Sequence, residues 1–210
     1  GDVVSGATLG YSGSTAGNLA TAAVGSYTIT PSALTFSTGS ASNYSITYNT
    51  GTLTVNTAAL TITGITAANR AYNGTNAATL TGTAAYSGLV NGESFTVTGT
   101  PSASFANANV GTAKPVTVSG YTAPSSNYSV TQPAGLTANI TAVALTITAD
   151  NVYKVTGTAL SSPVTGSVDF SASGLVNGET VGSVTITYGT GSASNAAVGT
   201  YVGSVVPSAA

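Results

Sequence analysis

Few side chains in this sequence could carry out chemistry. Its 210 residues include three cations, five acids and no His, Cys, Met or Trp. Without His or Cys the chain has no thiolate nucleophile, no Ser-His pair, no zinc or haem site and no disulfide framework. Glu93 and Glu179 could do acid–base work, but they occupy equivalent turn positions in successive repeats, with no partner base in reach. We therefore expect a protein that is not an enzyme, without catalytic residues or cofactors.

A metal site is not expected either. Calcium sites normally use clustered acids, whereas the nearest two acids here are Asp169 and Glu179, and Asp150 with Asn151 fits a turn. Two kinds of covalent chemistry stay open: a Lys–Asn crosslink, and glycosylation at Asn-x-Ser/Thr sites. The lysines are Lys114 and Lys154, and the glycosylation sites are Asn43, Asn73, Asn127 and Asn139.

The low charge and the short apolar runs argue against two kinds of partner, nucleic acids and membranes. Only 4 % of the residues are charged and the net charge is −2, whereas soluble proteins carry roughly 25 % charged residues. Three cations are too few to neutralise several phosphates, so we expect no nucleic-acid partner. Ser, Thr, Gly or Asn interrupts every apolar run, so no membrane span is expected. The first residues have no signal-peptide pattern, and we expect an interior segment of a longer protein.

The elements that carry these side chains repeat along the sequence. Gly88–Glu93 recurs without change 86 residues later as Gly174–Glu179, and Ser42–Ser45 recurs 84 residues later as Ser126–Ser129. The shared period of about 85 residues indicates tandem units. We predict the C-terminal part of one unit at 1–57, a complete unit at 58–142 and the N-terminal part of another at 143–210. The sheets of the two outer parts are expected to be completed by neighbouring units or chains.

Within each unit the pattern predicts β-strands. Apolar residues alternate with Thr or Ser in five segments, which places one strand face in a core and the other in water. The segments are 44–48, 60–63, 95–98, 116–119 and 184–188. We therefore predict an all-β protein of small sandwich-like repeat domains arranged end to end. A continuous β-helix is the rival, but its coils repeat at roughly 20 residues, and no such interval occurs here.

Particular residues are predicted to lie in the turns and in the strands of each repeat. Asn91-Gly92 and Asn177-Gly178 are the preferred pair for a type I′ hairpin turn, because both positions tolerate positive φ. Tyr44 and Tyr128 lie at equivalent positions in alternating segments, and we expect their rings in the core with the hydroxyl at its rim.

Several motifs resemble the YDG-type repeat domain of large bacterial surface exoproteins, which include filamentous-haemagglutinin-like adhesins. The segment from Asn69 to Thr75 carries the Tyr-Asp-Gly position as Tyr72-Asn73-Gly74, and Gly88–Glu93 and Ser126–Tyr128 follow. The flanking units resemble the related MBG-type repeats through Ala149–Lys154, Gly174–Glu179 and Asn43–Val55. Asn and Asp are near-equivalent in a turn, so the departure at Asn73 leaves the expected fold unchanged.

The resemblance implies a structural role outside the cell. We expect a stalk or fibre segment of a secreted adhesin at the bacterial cell surface, or of an extracellular biofilm filament. Its expected partners are neighbouring repeats of the same chain, and identical chains through strand or edge pairing. A glycan receptor would bind through another region. The alternative is a glycan- or ice-binding module that uses faces rich in Thr and Tyr.

Overall fold

A computed structural model describes residues 1–13 and 16–208. The chain is 48 % strand and 1 % helix, which confirms the all-β prediction with tandem β repeats. Thr, Val and Ile fit this architecture because their branched side chains suit a pleated, half-buried surface. The strands are β1 (Val3–Tyr11), β2 (Gly25–Thr38), β3 (Gly51–Val55), β4 (Ala58–Ala67), β5 (Arg70–Ala71), β6 (Leu80–Ser87), β7 (Thr98–Phe105), β8 (Gly111–Thr122), β9 (Tyr128–Thr131), β10 (Thr137–Thr141), β11 (Thr146–Ala149), β12 (Val164–Ser167), β13 (Phe170–Ser173), β14 (Val184–Tyr188) and β15 (Val205–Ser208), with one 3-10 turn at Ala41–Asn43.

Hydrogen bonds group the described strands into five small sheets. Their orders are β1-β2-β3, β6-β4-β9, β5-β10-β8-β7, β11-β13 and β12-β14-β15. The chain divides into two compact units. The first unit comprises residues 1–67, 78–104 and 116–137, and the second comprises residues 68–77, 105–115 and 138–210.

The first unit is organised around β4. This strand pairs antiparallel with β6 and parallel with β9, with Ala58 opposite Tyr128 and Leu60 opposite Val130. Leu60 and Ile62 are buried while the neighbouring Thr61 and Thr63 are exposed, as alternation on a one-sided sheet requires. The other buried apolar residues of this unit are Val116, Val118, Tyr121 and Tyr128.

In the second unit the same alternation appears in β14. This strand pairs antiparallel with β12 on one side and β15 on the other. Val184 and Ile186 are buried and Thr187 is exposed, so the hydroxyl face lies in water. The remaining buried apolar residues of the unit are Phe105, Ala138 and Ile140.

Two of the five predicted strands are wrong. Residues 44–50 follow the 3-10 turn without regular structure, and 93–97 precede β7 likewise. Tyr44 and Tyr48 are 51 % and 41 % exposed, so the prediction that Tyr44 lies in the core is also wrong. Neither face of this segment is buried, although its residues alternate between apolar and hydroxyl side chains. Side-chain hydrogen bonds hold it in place of strand pairing: the Tyr48 hydroxyl accepts the Leu34 N–H at 3.0 Å.

Among the described residues, no helix is long and apolar enough to cross a membrane.

Candidate functional site

The Tyr-Asn-Gly motif lies on a loop at residues 68–77 that is anchored to β10. Arg70 and Ala71 form the short strand β5, which pairs parallel with Ile140 and Thr141. The Tyr72 N–H extends this ladder by donating to the Thr141 carbonyl at 2.8 Å. On the other side of the strand pair, the Asn69 side-chain oxygen accepts the backbone N–H of Asn139 at 2.7 Å. Backbone bonds therefore fix the chain on both sides of Arg70.

Arg70 closes the loop from within. Its guanidinium lies over the Phe105 ring, 5.4 Å from the ring centroid, a cation–π geometry. One terminal nitrogen donates to the Ala71 carbonyl at 3.1 Å and to the Asn73 side-chain oxygen, and the other donates to the Thr75 carbonyl. Its Nε atom is buried without a hydrogen-bond partner. The planar fork thus spans the Tyr-Asn-Gly turn and holds both of its ends.

Asn73 is the centre of that turn. Besides Arg70, its side-chain oxygen accepts the Thr75 N–H at 3.1 Å and the Thr75 hydroxyl at 3.0 Å, an Asx-turn arrangement. All three donors bind the oxygen, which is the atom that Asn and Asp share. An Asp at this position would keep every contact and would add an ion pair to Arg70. Asn73 therefore preserves the turn of the family motif without its charge.

The loop meets the Asn-Gly-Glu turn of the second unit. The Tyr72 hydroxyl donates to the Glu179 carboxylate. Gly74 has a φ of 75°, and a Cβ atom there would overlap the Asn177 side chain. Two constraints therefore require glycine at position 74: the positive φ of its backbone and the close approach of the Asn177 side chain. Three of the predicted turn positions, Tyr72, Gly74 and Asn177, are brought together here.

The two Asn-Gly turns have the same geometry. Asn91 and Gly92 have φ values of 55° and 71°, and Asn177 and Gly178 have values of 55° and 73°. Each turn is closed by one backbone bond, from Glu93 N–H to the Val90 carbonyl and from Glu179 N–H to the Val176 carbonyl. The flanking residues have no regular strand structure. The turns therefore do not connect paired strands, contrary to the hairpin expectation.

Inside the first unit, Tyr128 holds the Asn91-Gly92 turn. Its hydroxyl donates to Glu93 at 2.5 Å and accepts the Val90 N–H at 3.2 Å. The Phe95 ring packs edge-on against the tyrosine, with 6.1 Å between centroids. Tyr128 is buried, as its predicted core position requires.

A third acid, Asp2, also accepts a hydrogen bond from a tyrosine. The Tyr44 hydroxyl donates to Asp2 at 2.9 Å, and its ring stacks on Phe36 with centroids 5.6 Å apart. Asp2, Glu93 and Glu179 follow equivalent glycines in the three repeats, so the same position of each repeat binds a tyrosine hydroxyl.

These bonds raise the pKa of the three tyrosines. At Tyr44, Tyr72 and Tyr128 the largest cause of the raised pKa is the hydrogen bond to the carboxylate, and desolvation adds to it. At Tyr128 the bond from the Val90 N–H acts in the opposite direction without reversing the shift. The cause is that a carboxylate accepts only from the neutral hydroxyl, so ionisation breaks the bond.

Sequence reasoning missed the tyrosine–carboxylate pairs. The sequence places Glu93 and Glu179 at turns, where both are exposed, yet each accepts a tyrosine hydroxyl. For the pairs of Tyr44 with Asp2 and Tyr128 with Glu93 a signal was available, because the acids and the Ser-Asn-Tyr motif recur with the same period. Tyr72, which binds Glu179, lies outside that motif. Arg70 was also missed as the residue that organises the motif loop. No group of three or more His, Cys, Asp or Glu that could hold a metal is found in residues 1–13 and 16–208.

The two lysines bind backbone or amide oxygens. Lys114 Nζ donates to the Asn107 side-chain oxygen at 2.7 Å and to the Asn109 carbonyl at 2.5 Å. Lys154 Nζ donates to the Thr158 carbonyl at 2.9 Å and the Ala193 carbonyl at 2.5 Å. Lys114 is therefore the lysine that the structure places against an Asn side chain.

The second unit also contains a cavity of about 380 Å³. Tyr153, Tyr188 and Tyr201 line it together with Lys154 and Thr190. The Tyr201 hydroxyl donates to the Ala197 carbonyl at 2.8 Å. Tyr153 is 88 % exposed, so its ring is accessible from solvent.

Comparison with known families identifies two domains. Residues 56–138 match the model of the YDG domain, and residues 145–210 match the model of the MBG domain (YGX type). No curated protein and no solved structure matches the chain. The first match contains Tyr72, Asn73 and Gly74, and the second contains Asn177 and Glu179. The chain therefore carries a YDG domain and an MBG domain of the YGX type in tandem.

Proposed function

We propose that this chain is a structural segment, a stalk or fibre body, of a secreted bacterial adhesin or extracellular matrix filament. The observation that carries the proposal is the tandem of a YDG and an MBG domain in an all-β chain. In tandem arrays each unit contacts mainly its neighbours, and length grows with the number of units. A stalk also needs little chemistry, which fits a sequence with eight charged residues and no His or Cys.

The proposed setting is the bacterial cell surface or the extracellular matrix. The partners are neighbouring repeats of the same chain, and identical chains that add a strand to an open sheet edge. The exposed face of β4 fits a surface that lies in water. Thr61 and Thr63 are exposed there, and their hydrated hydroxyls take the place of charged side chains. Neither a nucleic acid nor a membrane is a partner in this proposal.

Solution scattering combined with a glycan array and an ice-growth assay tests this function. A stalk segment gives the scattering of an extended rod and binds neither glycans nor ice. A compact particle, or a glycan bound with submicromolar affinity, would overturn the proposal.

One observation favours a second candidate, a glycan-binding module. The cavity of the second unit presents Tyr153, Tyr188 and Tyr201 beside Thr190, and tyrosine rings with nearby hydroxyls suit stacking on sugars. Substituting Tyr153→Ala and Tyr201→Ala should then abolish binding on the array, while Tyr11→Ala, in the first unit, should leave it unchanged. Binding that survives both cavity substitutions would exclude this site.

A further inference from the structure

One turn of the repeat makes long-range contacts in both compact units. In the first unit the Asn91 amide donates to the Ala20 carbonyl at 3.0 Å, across 71 positions of sequence. Nearby, the Val24 N–H donates to the Asn127 side-chain oxygen at 3.0 Å. These two bonds join the segment that precedes the YDG domain to the YDG domain itself.

The equivalent turn of the second unit also contacts the repeat that precedes it. Asn177 stands where Asn91 stands in the repeat, and its side chain lies directly against Gly74. Two residues later, Glu179 accepts the Tyr72 hydroxyl. Both partners belong to the YDG domain, which precedes the MBG domain that carries the turn.

We propose that the Asn side chain of the Asn-Gly-acid turn docks each repeat onto the repeat that precedes it in the same chain, and that the Tyr-Asn-Gly loop is the surface it recognises on a YDG domain. This inference rests on the repeat organisation and is independent of the proposed extracellular role. It gives the family's Tyr-Asp-Gly motif a task, which is to bind the turn of the following domain.

The chemistry of the turn suits this task. Its backbone closes with its own N–H to C=O bond and with two positive φ values, so the turn needs neither the Asn amide nor the carboxylate to hold its shape. The Asn side chains are left to contact the preceding repeat, as is the Glu179 carboxylate, whereas Glu93 binds Tyr128 of its own repeat. The partner must offer a carbonyl or hydroxyl for hydrogen bonding and, opposite Asn177, a residue without a Cβ atom.

The partner loop is prepared for the contact. Arg70 holds both ends of the Tyr-Asn-Gly turn and the Tyr72 N–H is bonded to Thr141. Because these bonds hold the loop in one conformation without help from the turn, the loop loses little conformational entropy when the turn docks on it.

Hydrogen exchange measured by mass spectrometry on the whole chain tests the proposal. Asn177→Gly and Asn91→Gly keep the type I′ turn, since glycine prefers positive φ, but remove the docking side chain. We expect Asn177→Gly to raise exchange several-fold in residues 68–77 and to leave 17–24 unchanged. Asn91→Gly should do the reverse. Unchanged exchange in both partner segments would overturn the proposal.

A second pair of variants separates docking from local strain. Gly74→Ala should speed exchange in the 176–179 turn because the new methyl group displaces Asn177. In the Asn177→Gly background the same substitution should have no further effect on that turn. Glu179→Ala, which removes the acceptor of the Tyr72 hydroxyl, should speed exchange in the 68–77 loop, whereas the matched Glu93→Ala should not. Equal effects of the two alanine variants on that loop would contradict the assignment.

Discussion

At the scale of single residues, one amide takes the place of a carboxylate at little structural cost. The Asn73 oxygen accepts from Arg70 and from two groups of Thr75, all of which a carboxylate would accept as well. What the amide does not provide is charge opposite the guanidinium. The turn motif was therefore predictable from the sequence, whereas the arginine that holds it, three residues away, was not.

Asn73→Asp should stabilise the chain by up to about 1 kcal/mol, because it adds an ion pair with Arg70 at a partly exposed site. Urea unfolding at low and at high salt checks this, and the gain should shrink as salt screens the pair. Asn76→Asp adds the same charge to the same loop and serves as the control. A gain of equal size in both variants would show that the contact to Arg70 is not its source.

The tyrosine–carboxylate pairs predict how stability depends on pH. The pKa of Tyr72 and of Tyr128 is raised above the ordinary value of 10.0 by the hydrogen bond to a glutamate. The folded chain thus keeps these protons to higher pH than the unfolded chain does, so stability is fully present below about pH 10 and falls above it. Thermal unfolding between pH 8 and pH 11.5 should show this loss, and Tyr128→Phe should reduce its slope. A slope that does not change in the variant would contradict the assignment of the pair.

At the scale of elements, alternation predicted strands where a core exists to receive one face. The pattern of Leu60 to Thr63 became β4 and that of Val184 to Tyr188 became β14, each with two buried residues. The same pattern failed at 44–48, because pairing is a tertiary property that a local period does not contain. There Tyr44 and Tyr48 are held by Asp2 and by a backbone N–H instead of a strand partner.

The two faces of β4 should respond differently to truncation. Leu60 is fully buried and Thr61 is exposed. Leu60→Ala should destabilise the chain by about 2–5 kcal/mol through the cavity it leaves, and Thr61→Ala should change stability by less than about 0.5 kcal/mol. Denaturant unfolding of both variants measures the ratio. Similar losses would mean that β4 is not the core strand of its unit.

At the scale of the whole molecule, the near-absence of charge and the repeat of about 85 residues both support the proposed role as a structural segment. In a tandem array each repeat contacts mainly its neighbours, so added repeats lengthen the chain, as the proposed stalk requires. The repeat and the β class could be predicted from composition and period alone. The bonds that join Asn91 to Ala20 and Tyr72 to Glu179 could not, because these residues lie 71 and 107 positions apart.

The most direct test of the structural role changes the length of the segment in its parent protein. A tandem duplication of residues 58–142 should move a label placed beyond the segment further from its anchor, as electron microscopy of labelled molecules would measure. We expect an added distance of about one repeat for each copy, with binding by other regions unchanged. A label that stays at the same distance, or a binding activity lost when the segment alone is altered, would contradict it.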